Sequence, residues 1–327
     1  MLSSFSDCKR NLVDGNLAVL PTETVYGLAA NGLNSEAVNK IFKLKGRPAN
    51  NPVILHISGL DESRPYAIIT KNAEILAERF WPGPLTLLLN KKNIVPGNVT
   101  ASLNTVGIRS PSNKVFRKML NELAFPLAAP SANPSNRTSP TTSAQVLEMF
   151  GSDCPPVLDD GQTALGLEST VIDLTSKVPT ILRPGHVTTG EIEDCLSSHI
   201  STKHDNLKSG KFPHKSPGNN FKHYSPKTPT MLHRTLESCI KSNELHRNEL
   251  VLVYSQDAVA RLNKFECTTW SLSEKGILEE VGRSLFKSLH EADTQNFKKI
   301  HLILLVEGDD LSLAINDRIT RACAKQD

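Results

Sequence analysis

The alternation of strand-like and helix-like segments over the first 200 residues is the feature that most constrains the fold of this 327-residue chain. Short apolar runs between Gly, Pro or polar residues indicate strands, and apolar residues at helical spacing indicate helices. The predicted strands are 17–21, 53–57, 85–89, 106–109, 126–129, 171–174 and 180–183. The predicted helices are 35–45, 72–80, 113–123, 142–150 and 188–199. This order predicts an α/β domain with a twisted, partly parallel or mixed sheet.

A lysine-rich stretch separates this region from a second one. Between residues 201 and 229 six lysines stand against one aspartate, so the stretch carries a charge of +5 and the rest of the chain about −2. Beyond it, 230–233, 250–254 and 300–306 are typical of buried strands, and 273–291 and 312–324 of amphipathic helices. We therefore predict a first domain over 1–200, a basic linker over 201–229 and a smaller Rossmann-like α/β domain over 230–327. The smaller domain lacks GxGxxG, so no dinucleotide is assigned to it.

The six cysteines, at positions 8, 154, 195, 239, 267 and 323, are scattered. They form no CxxC pair and show no spacing typical of zinc ligands. No secretory signal is visible in the first thirty residues, so we expect reduced thiols in a cytoplasmic protein and no protein-bound metal. The longest apolar runs are strand-sized, so no membrane contact is expected.

Two polar clusters lie between apolar segments, at 45–52 and 131–141. The second combines hydroxyl groups, Asn133 and one arginine just before a helix start, where α/β proteins commonly bind phosphate or carboxylate. Four cationic side chains lie at the ends of apolar runs: Lys45, Arg47, Arg109 and Arg183. Each alone is compatible with a surface or capping role. Together they suit a pocket for a polyphosphate and an amino-acid carboxylate.

Several common catalytic motifs are missing. The sequence has no GxxxxGK[ST], HExxH or GxSxG, which argues against P-loop ATPases, zinc hydrolases and serine esterases. Glu23 and Glu168 are isolated within their motifs, which argues against a carboxylate pair of the glycosidase kind. His56 falls inside a predicted strand, where a core role is the default. The remaining chemistry is electrostatic positioning of anions.

Seven motifs occur in order along the chain: PTETVYGL, KGRPANNPVILHI, WPGPLT, TVGIRSP, APSANPSNRTSPT, GLESTVIDL and ILRPG. In this order they resemble the YrdC-type L-threonylcarbamoyladenylate synthases, densely over about residues 9–200. A motif at 216–226 and AINDR at 314–318 extend the likeness, so the chain resembles the long form with an extra C-terminal domain. The resemblance implies a YrdC-like twisted open sheet with a concave basic cavity.

The resemblance also implies an activity. Such enzymes are nucleotidyltransferases that condense L-threonine, bicarbonate or CO2 and ATP into threonylcarbamoyl-AMP and pyrophosphate. Magnesium is expected with the ATP. A separate transferase complex then modifies the tRNA adenosine beside the anticodon, and a weak tRNA contact by this chain is left open.

Site residues follow from the matched motifs. The family's KxR…SxN pattern assigns a catalytic role to Lys45, Arg47, Ser131 and Asn133. The residues implied to bind L-threonine are Thr24, His56, Arg109, Ala129 and Ser169. Those implied to bind ATP are Arg47, Asn51, Thr105, Ser131, Ser139, Arg183 and Tyr224. We hypothesise that 216–226 forms a lid with Tyr224 at the nucleotide.

The sequence departs from the family pattern at two places. Asn136 and Arg137 stand where Gly is usual, and Asn219 stands where Met is usual. Asn tolerates a left-handed backbone, so the first turn is expected to survive. Two alternative interpretations are a non-catalytic, RNA-binding YrdC-like module and the carbamoyltransferase of hydrogenase maturation. The intact KxR…SxN set argues against the first, and the missing CxxC pairs argue against the second.

Overall fold

The computed structural model of the chain describes residues 2–202, 223–242, 245–306, 308 and 310–324. These residues fall into two compact units. The first takes 2–135, 140–163 and 168–202, and the second takes 136–139, 164–167 and the described residues from 223 onward. Two short loop segments thus group with the second unit. The predicted linker lies largely outside the described residues, so its boundaries stay predictions.

The first unit contains seven α-helices and nine strands within the described part of the chain. Its helices are α1 Phe5–Val13, α2 Ser35–Lys45, α3 Leu60–Ser63, α4 Lys71–Phe80, α5 Lys114–Asn121, α6 Ser143–Phe150 and α7 Thr189–Leu196. Its strands are β1 Ala18–Leu20, β2 Gly27–Asn31, β3 Leu55–His56, β4 Leu85–Asn90, β5 Thr105–Arg109, β6 Leu127–Ala128, β7 Thr170–Asp173, β8 Thr180–Arg183 and β9 Ser201–Thr202.

All nine strands join one mixed sheet in the order β1-β2-β6-β3-β5-β4-β7-β8-β9. The pairs β3–β5, β4–β7 and β8–β9 are parallel, and the others are antiparallel. Successive strand residues face opposite sides, so Val19 packs in one apolar core while Ala18 and Leu20 pack in another. Helices α2 and α4 cover the first face, and α1 and α5 cover the second. The predicted mixed α/β sheet is confirmed.

Helix α2 shows why local sequence determines some boundaries closely. Asn34 caps its start by accepting hydrogen bonds from the backbone N–H groups of Glu36 and Ala37. Gly46 ends it with φ of 60°, a left-handed conformation that glycine adopts without strain. The predicted span 35–45 agrees with the observed helix. Lys45 is thus the last residue of the helix, and its side chain reaches the carbonyl groups of Ser131 and Asn133.

Other elements were not predicted. Strand β2 is absent from the predicted strands, because its sequence GLAAN is poor in the β-branched and aromatic residues typical of strands. The structure nevertheless pairs it on both sides, with β1 and β6, and buries most of it. Helix α1 was also missed, although Ser4 caps it by accepting a hydrogen bond from the Asp7 N–H.

The second unit is a smaller α/β layer structure. Its helices are α8 Leu236–Lys241, α9 Gln256–Leu262, α10 Leu278–Thr294 and α11 Asp310–Ala322. Its strands are β10 Thr230–His233, β11 Glu249–Val253, β12 Thr268–Ser271 and β13 Lys299–Ile303, in the order β10-β13-β11-β12 and all parallel. Val251 and Val253 pack with residues of α8 and α9 on one face. This parallel architecture agrees with the predicted Rossmann-like domain.

Membrane-spanning segments were searched for in the described ranges. No helix there has both the length and the apolar character needed to cross a bilayer.

Candidate active site

The first element of the site is a buried ion pair between Arg109 and Glu23. Arg109 ends β5 and Glu23 lies in the loop after β1, and neither side chain is more than 7% exposed. Arg109 Nη2 lies 2.6 Å from Glu23 Oε1, while Nη1 donates to Thr24 Oγ1 at 3.0 Å and Nε to the Gly83 carbonyl at 3.3 Å. The loop after β1 is therefore fixed to the end of a central strand.

This pair retains unused hydrogen-bonding capacity. The contact between Nη2 and Oε1 is short, but it lacks hydrogen-bond geometry, and both carboxylate oxygens are buried with no hydrogen-bond partner in the described part of the chain. Buried polar atoms without partners are rare, and a bound ligand, ion or water is one way to satisfy them. A guanidinium edge and a carboxylate side by side match the carboxylate and ammonium groups of an amino acid.

His56 lies next to this pair. It sits on β3, directly opposite Arg109 in the parallel β3–β5 register, and is 3% exposed. Burial, followed by the positive charge of Arg109, lowers the pKa of His56 to about 3. Its ring packs against Phe116 with centroids 5.4 Å apart, and its Nδ1 is buried without a hydrogen-bond partner among the described residues. His56 is thus a neutral imidazole beside the Arg109–Glu23 pair.

The structure brings together four of the five residues predicted to bind L-threonine. Thr24 and Arg109 are hydrogen-bonded, His56 faces Arg109 across the strand pair, and Ala129 donates its backbone N–H to Ile54 just before His56. Ser169 belongs instead to a neighbouring group with Arg183. Glu23 was not among the predicted site residues, because only the folded chain shows its contact with Arg109.

Lys45 joins helix α2 to the second polar cluster. Its side chain is 3% exposed, and Nζ donates to the Ser131 carbonyl at 2.6 Å and to the Asn133 carbonyl. The Ser135 N–H in turn donates to the Lys45 carbonyl at 2.7 Å. Burial and then the charge of Arg47 hold the pKa of Lys45 well below its usual range. Three members of the predicted catalytic set are therefore in direct contact.

Arg47 and Asn51, both predicted to bind ATP, also contact each other. Arg47 Nε donates to the Asn51 carbonyl at 3.0 Å, and Nη2 donates to Asn51 Oδ1 at 2.6 Å and to the Pro52 carbonyl at 2.8 Å. These bonds curl the loop after α2 around the guanidinium, which is half-buried. Thr105, at the start of β5, has a buried hydroxyl without a hydrogen-bond partner in the ranges the structure describes.

Arg183 and Ser169 form a third group. Arg183 Nε donates to the Ser169 carbonyl at 3.0 Å and Nη2 to Ser169 Oγ at 3.1 Å. Ser169 Oγ also lies 2.8 Å from Thr86 Oγ1. Gly185 permits this arrangement, since a Cβ there would lie 2.5 Å from the Thr170 backbone nitrogen. A residue predicted to bind threonine and one predicted to bind ATP are thus adjacent.

The last two predicted residues, Ser139 and Tyr224, lie in the second unit. Ser139 is buried. Tyr224 is 1% exposed, with its ring centroid 4.0 Å from that of His223 and 5.2 Å from that of Phe286. The Arg318 guanidinium carbon lies 5.6 Å from the Tyr224 centroid. The contacts of Tyr224 and Ser139 with ATP stay predictions, and 216–222 of the predicted lid lies outside the described residues.

The departure at 136–137 has a structural account within the second unit. Asn136 adopts φ of 67°, as expected for an asparagine replacing glycine in a left-handed turn. Its carbonyl accepts a hydrogen bond from the Ser225 N–H at 2.9 Å. Arg137 Nη2 pairs with Asp293 Oδ2 at 3.1 Å. Asn219, the other departure, lies outside the described residues.

Comparison with known proteins identifies the family. A family model described as "Telomere recombination" matches residues 10–185, and the model of the threonylcarbamoyl-AMP synthase C-terminal domain matches 187–324. The threonylcarbamoyl-AMP synthase of Pyrococcus abyssi is 36% identical over 317 residues, with 94% of this chain and 91% of the relative covered. The chain belongs to the threonylcarbamoyl-AMP synthase family. That of Schizosaccharomyces pombe is 37% identical over 347 residues, with 93% and 84% covered.

Solved structures give the same result. The structure of P. abyssi Sua5 complexed with L-threonine matches with a TM-score of 0.85 at 34% identity, covering 98% of this chain and 94% of the other. The predicted long-form synthase family and the predicted fold class are confirmed. Escherichia coli YciO matches with a TM-score of 0.51 at 23% identity over 56% of this chain and 89% of its own, which shows a shared fold only.

Proposed function

We propose that this chain is a threonylcarbamoyl-AMP synthase that condenses L-threonine, bicarbonate or CO2 and ATP into threonylcarbamoyl-AMP and pyrophosphate. The observation that carries the proposal is the buried Arg109–Glu23 pair with unused hydrogen-bonding atoms. It lies in a chain that aligns over nearly its full length with a synthase solved with L-threonine.

The threonine end of the site would use three side chains with different charges. The Arg109 guanidinium would bind the threonine carboxylate. The carboxylate oxygens of Glu23 would accept hydrogen bonds from the threonine amino group. His56 is neutral in this environment, so it can offer or accept a hydrogen bond without adding charge. Thr24 is buried and bonded to Arg109, and so would help to fix the guanidinium plane.

The ATP end would use the three groups built around Lys45, Arg47 and Arg183. The further predicted contacts are Asn51, Thr105, Ser131, Asn133, Ser139 and Tyr224. Cationic groups suit it because the reaction brings two anions together. The amine of threonine and CO2 form a carbamate and release a proton. A carbamate oxygen then attacks the α-phosphorus, and the α–β bridging bond breaks with pyrophosphate as leaving group. Positive charge beside the phosphates offsets the repulsion between nucleophile and triphosphate.

Magnesium would reach the site as part of the ATP substrate. The residues present fit that role better than a protein-held ion, because the predicted ATP contacts are cations, amides, hydroxyls and one phenol, with no carboxylate among them. Magnesium commonly keeps several waters and binds through substrate phosphates. Bound to ATP, it would neutralise charge on the leaving pyrophosphate.

The product is a mixed anhydride that water would hydrolyse, so its carbamoyl group must be transferred soon after it forms. As part of the proposal, a separate transferase complex uses it to modify the tRNA adenosine beside the anticodon. The lid at 216–226, a weak tRNA contact and the cytoplasm as compartment remain predictions from the sequence.

The test is pyrophosphate release from ATP and magnesium by the full chain, with L-threonine and bicarbonate each present or omitted. The proposal predicts release only when both are present, and predicts that D-threonine does not substitute. Lys45→Met provides the site-dead control. The proposal would be contradicted if pyrophosphate were released equally with and without threonine. It would also be contradicted if the folded protein released no pyrophosphate. Salt-dependent binding to tRNA in an inactive chain would favour the RNA-binding module instead.

A further inference from the structure

Three side chains with metal-binding donor atoms meet in the core of the second unit. They are His233 on β10, His301 on β13 and Cys239 on α8. One donor atom of each lies within 4.8 Å of the others. Among the described residues, these three form a group of side chains that could hold a metal ion. His233 is 6% exposed, and the other two are fully buried. None of these residues has a part in the proposed synthase site.

The sheet topology brings the two histidines together. Strands β10 and β13 are parallel neighbours in which Met231 pairs with His301, so His233 lies two residues further along the adjacent strand. Side chains two residues apart face the same side of a sheet, so both imidazoles lie on one face. Helix α8 follows β10, and Cys239 packs in the core on the face that also holds Val251. The cluster therefore depends on the fold, which is why no sequence spacing revealed it.

Glu249 fixes the orientation of His301. It lies on β11, the neighbour of β13, and its Oε2 is 3.2 Å from His301 Nε2. The His246 N–H also donates to Glu249, and Lys299 Nζ lies 3.9 Å away. With the Glu249 carboxylate as acceptor at Nε2, His301 carries its proton on that nitrogen, and the lone pair of its Nδ1 is directed toward His233 Nε2.

His301 Nδ1 and His233 Nε2 are 2.9 Å apart. In one account a proton on His233 bridges the two nitrogens, and Cys239 is an apolar neighbour. In the other, a metal ion lies between them. Two imidazole nitrogens on a tetrahedral zinc ion, each at about 2.0–2.1 Å, stand about 3.3 Å apart. The rings would need to separate by only a few tenths of an ångström.

We propose that His233, Cys239 and His301 bind a zinc-class divalent ion, with Glu249 positioning His301 through its Nε2–H. Two imidazoles and a thiolate are the donors that zinc prefers, and a carboxylate behind a ligating histidine is the usual arrangement in such sites. The Cys239 thiolate and the Glu249 carboxylate together balance the two positive charges of the ion, which reduces the cost of burying it.

Binding requires one proton to leave. Cys239 must lose its thiol proton to the solvent, and the proton on His233 Nε2 moves to Nδ1, so that the net release is one proton per ion. Binding is therefore expected to strengthen with rising pH. The ion would link β10, β13 and α8.

The test uses the full chain, stripped of metal and titrated with Co²⁺ as an optical probe and with Zn²⁺ in competition. The proposal predicts one ion per chain and a thiolate-to-cobalt charge-transfer band that zinc abolishes. Cys239→Ser should lose the band, and Glu249→Gln should weaken binding about 10- to 100-fold. Cys323→Ser and His246→Gln, in the same unit, are matched controls and should bind as the parent does.

Two results would overturn the proposal. One is the absence of a charge-transfer band in the parent chain at micromolar cobalt, which does not depend on any variant folding. The other is a band of unchanged intensity and affinity in folded Cys239→Ser. Synthase activity is measured in parallel, because the ion lies outside the proposed active site. Normal activity of metal-free protein would leave the proposed function intact whatever the cobalt titration gives.

Discussion

Glu23 and Arg109 form an ion pair of 2.6 Å inside the first unit, although the two residues belong to a loop and a strand that are distant in sequence. The pair is almost completely buried, and the carboxylate has no hydrogen-bond partner among the described residues. A buried pair of this kind contributes little net stability, because the cost of desolvating both charges offsets their attraction. Under the proposed function, the role of the Glu23–Arg109 pair is to bind threonine.

Arg109→Lys should weaken threonine binding more than ATP binding. Lysine keeps the charge beside Glu23 but loses the planar fork and the bonds to Thr24 and Gly83. Loss of a charged hydrogen bond worth about 1.5–3 kcal/mol predicts that KM for threonine rises about 10- to 100-fold. Steady-state kinetics with each substrate varied measures the effect.

The matched control is Arg64→Lys, which replaces an arginine that pairs with Asp61 and Glu74 on the surface. Exposed pairs contribute little, so its kinetics should equal those of the parent. Equal increases of KM for threonine and ATP in Arg109→Lys would argue against Arg109 as a threonine ligand.

Lys45→Met should abolish most activity and reduce stability. Methionine fills a similar volume but removes the two hydrogen bonds that Lys45 Nζ donates to the carbonyl groups of Ser131 and Asn133. Loss of two such bonds predicts a decrease of about 1–3 kcal/mol in the free energy of unfolding. We expect kcat/KM for ATP to fall at least about 100-fold, since the loss combines a charge with the positioning of a loop.

Lys43→Met is its control, because Lys43 is exposed on the last turn of the same helix. Urea unfolding and pyrophosphate release of both variants make the comparison. If Lys43→Met lowered stability and activity as much as Lys45→Met, the losses would reflect a general disturbance of helix α2 and not a specific role of Lys45.

The low pKa of His56 predicts that the stability of the folded chain falls at acid pH. Its pKa of about 3 in the folded chain lies below the ordinary 6.5, so the unfolded chain binds a proton that the folded chain does not. Above pH 6.5, His56 is neutral in both states and does not lower the free energy of unfolding. As the pH falls from 6.5 toward 3, protonation of His56 in the unfolded chain lowers the free energy of unfolding progressively. At pH 4 the loss is about 3 kcal/mol by linkage.

His56→Gln should therefore show a smaller fall in the midpoint of thermal unfolding between pH 7 and pH 4 than the parent. His246→Gln, at an exposed position, controls for the removal of an imidazole as such. Identical pH dependence in His56→Gln and the parent would show that His56 is not held neutral by its surroundings.

Gly185→Ala should disrupt the group formed by Arg183 and Ser169. A Cβ at 185 would lie 2.5 Å from the Thr170 nitrogen and 2.9 Å from the Glu168 carbonyl oxygen, both backbone atoms that cannot rotate away. We expect a loss of about 1–3 kcal/mol in stability and a rise in KM. Gly190→Ala, in helix α7 with no heavy atom within 4 Å of the added Cβ, should gain a few tenths to about 1 kcal/mol. Denaturant titration of both variants checks the pair, and a stable Gly185→Ala chain would contradict the packing account.

The sequence predicted those elements whose ends carry clear signals. Helix α2 has an asparagine cap and a closing glycine, and the predicted spans 180–183 and 230–233 agree with β8 and β10. Strand β2 escaped prediction because alanine and glycine have weak strand preference, and only pairing on both sides stabilises it. The short helices α8 and α9 have too few turns to show a helical period.

The site was predictable to the extent that motifs define it. The KxR…SxN pattern named Lys45, Ser131 and Asn133, which the structure brings into contact. Glu23 was overlooked because the pattern of one sequence cannot show that a loop carboxylate meets an arginine from another strand. The cluster of His233, Cys239 and His301 was overlooked for the same reason, since sheet register rather than spacing brings its members together.

Mass analysis of the quenched product shows whether the chain joins threonine, CO2 and the AMP part of ATP. The full chain is incubated with ATP, magnesium, L-threonine and 13C-bicarbonate, quenched within seconds, and compared with the unlabelled reaction. We predict a threonylcarbamoyl-AMP ion that carries one 13C atom on its carbamoyl fragment and is missing when threonine is omitted. Pyrophosphate release accompanied only by AMP or by an unlabelled adduct would contradict the account.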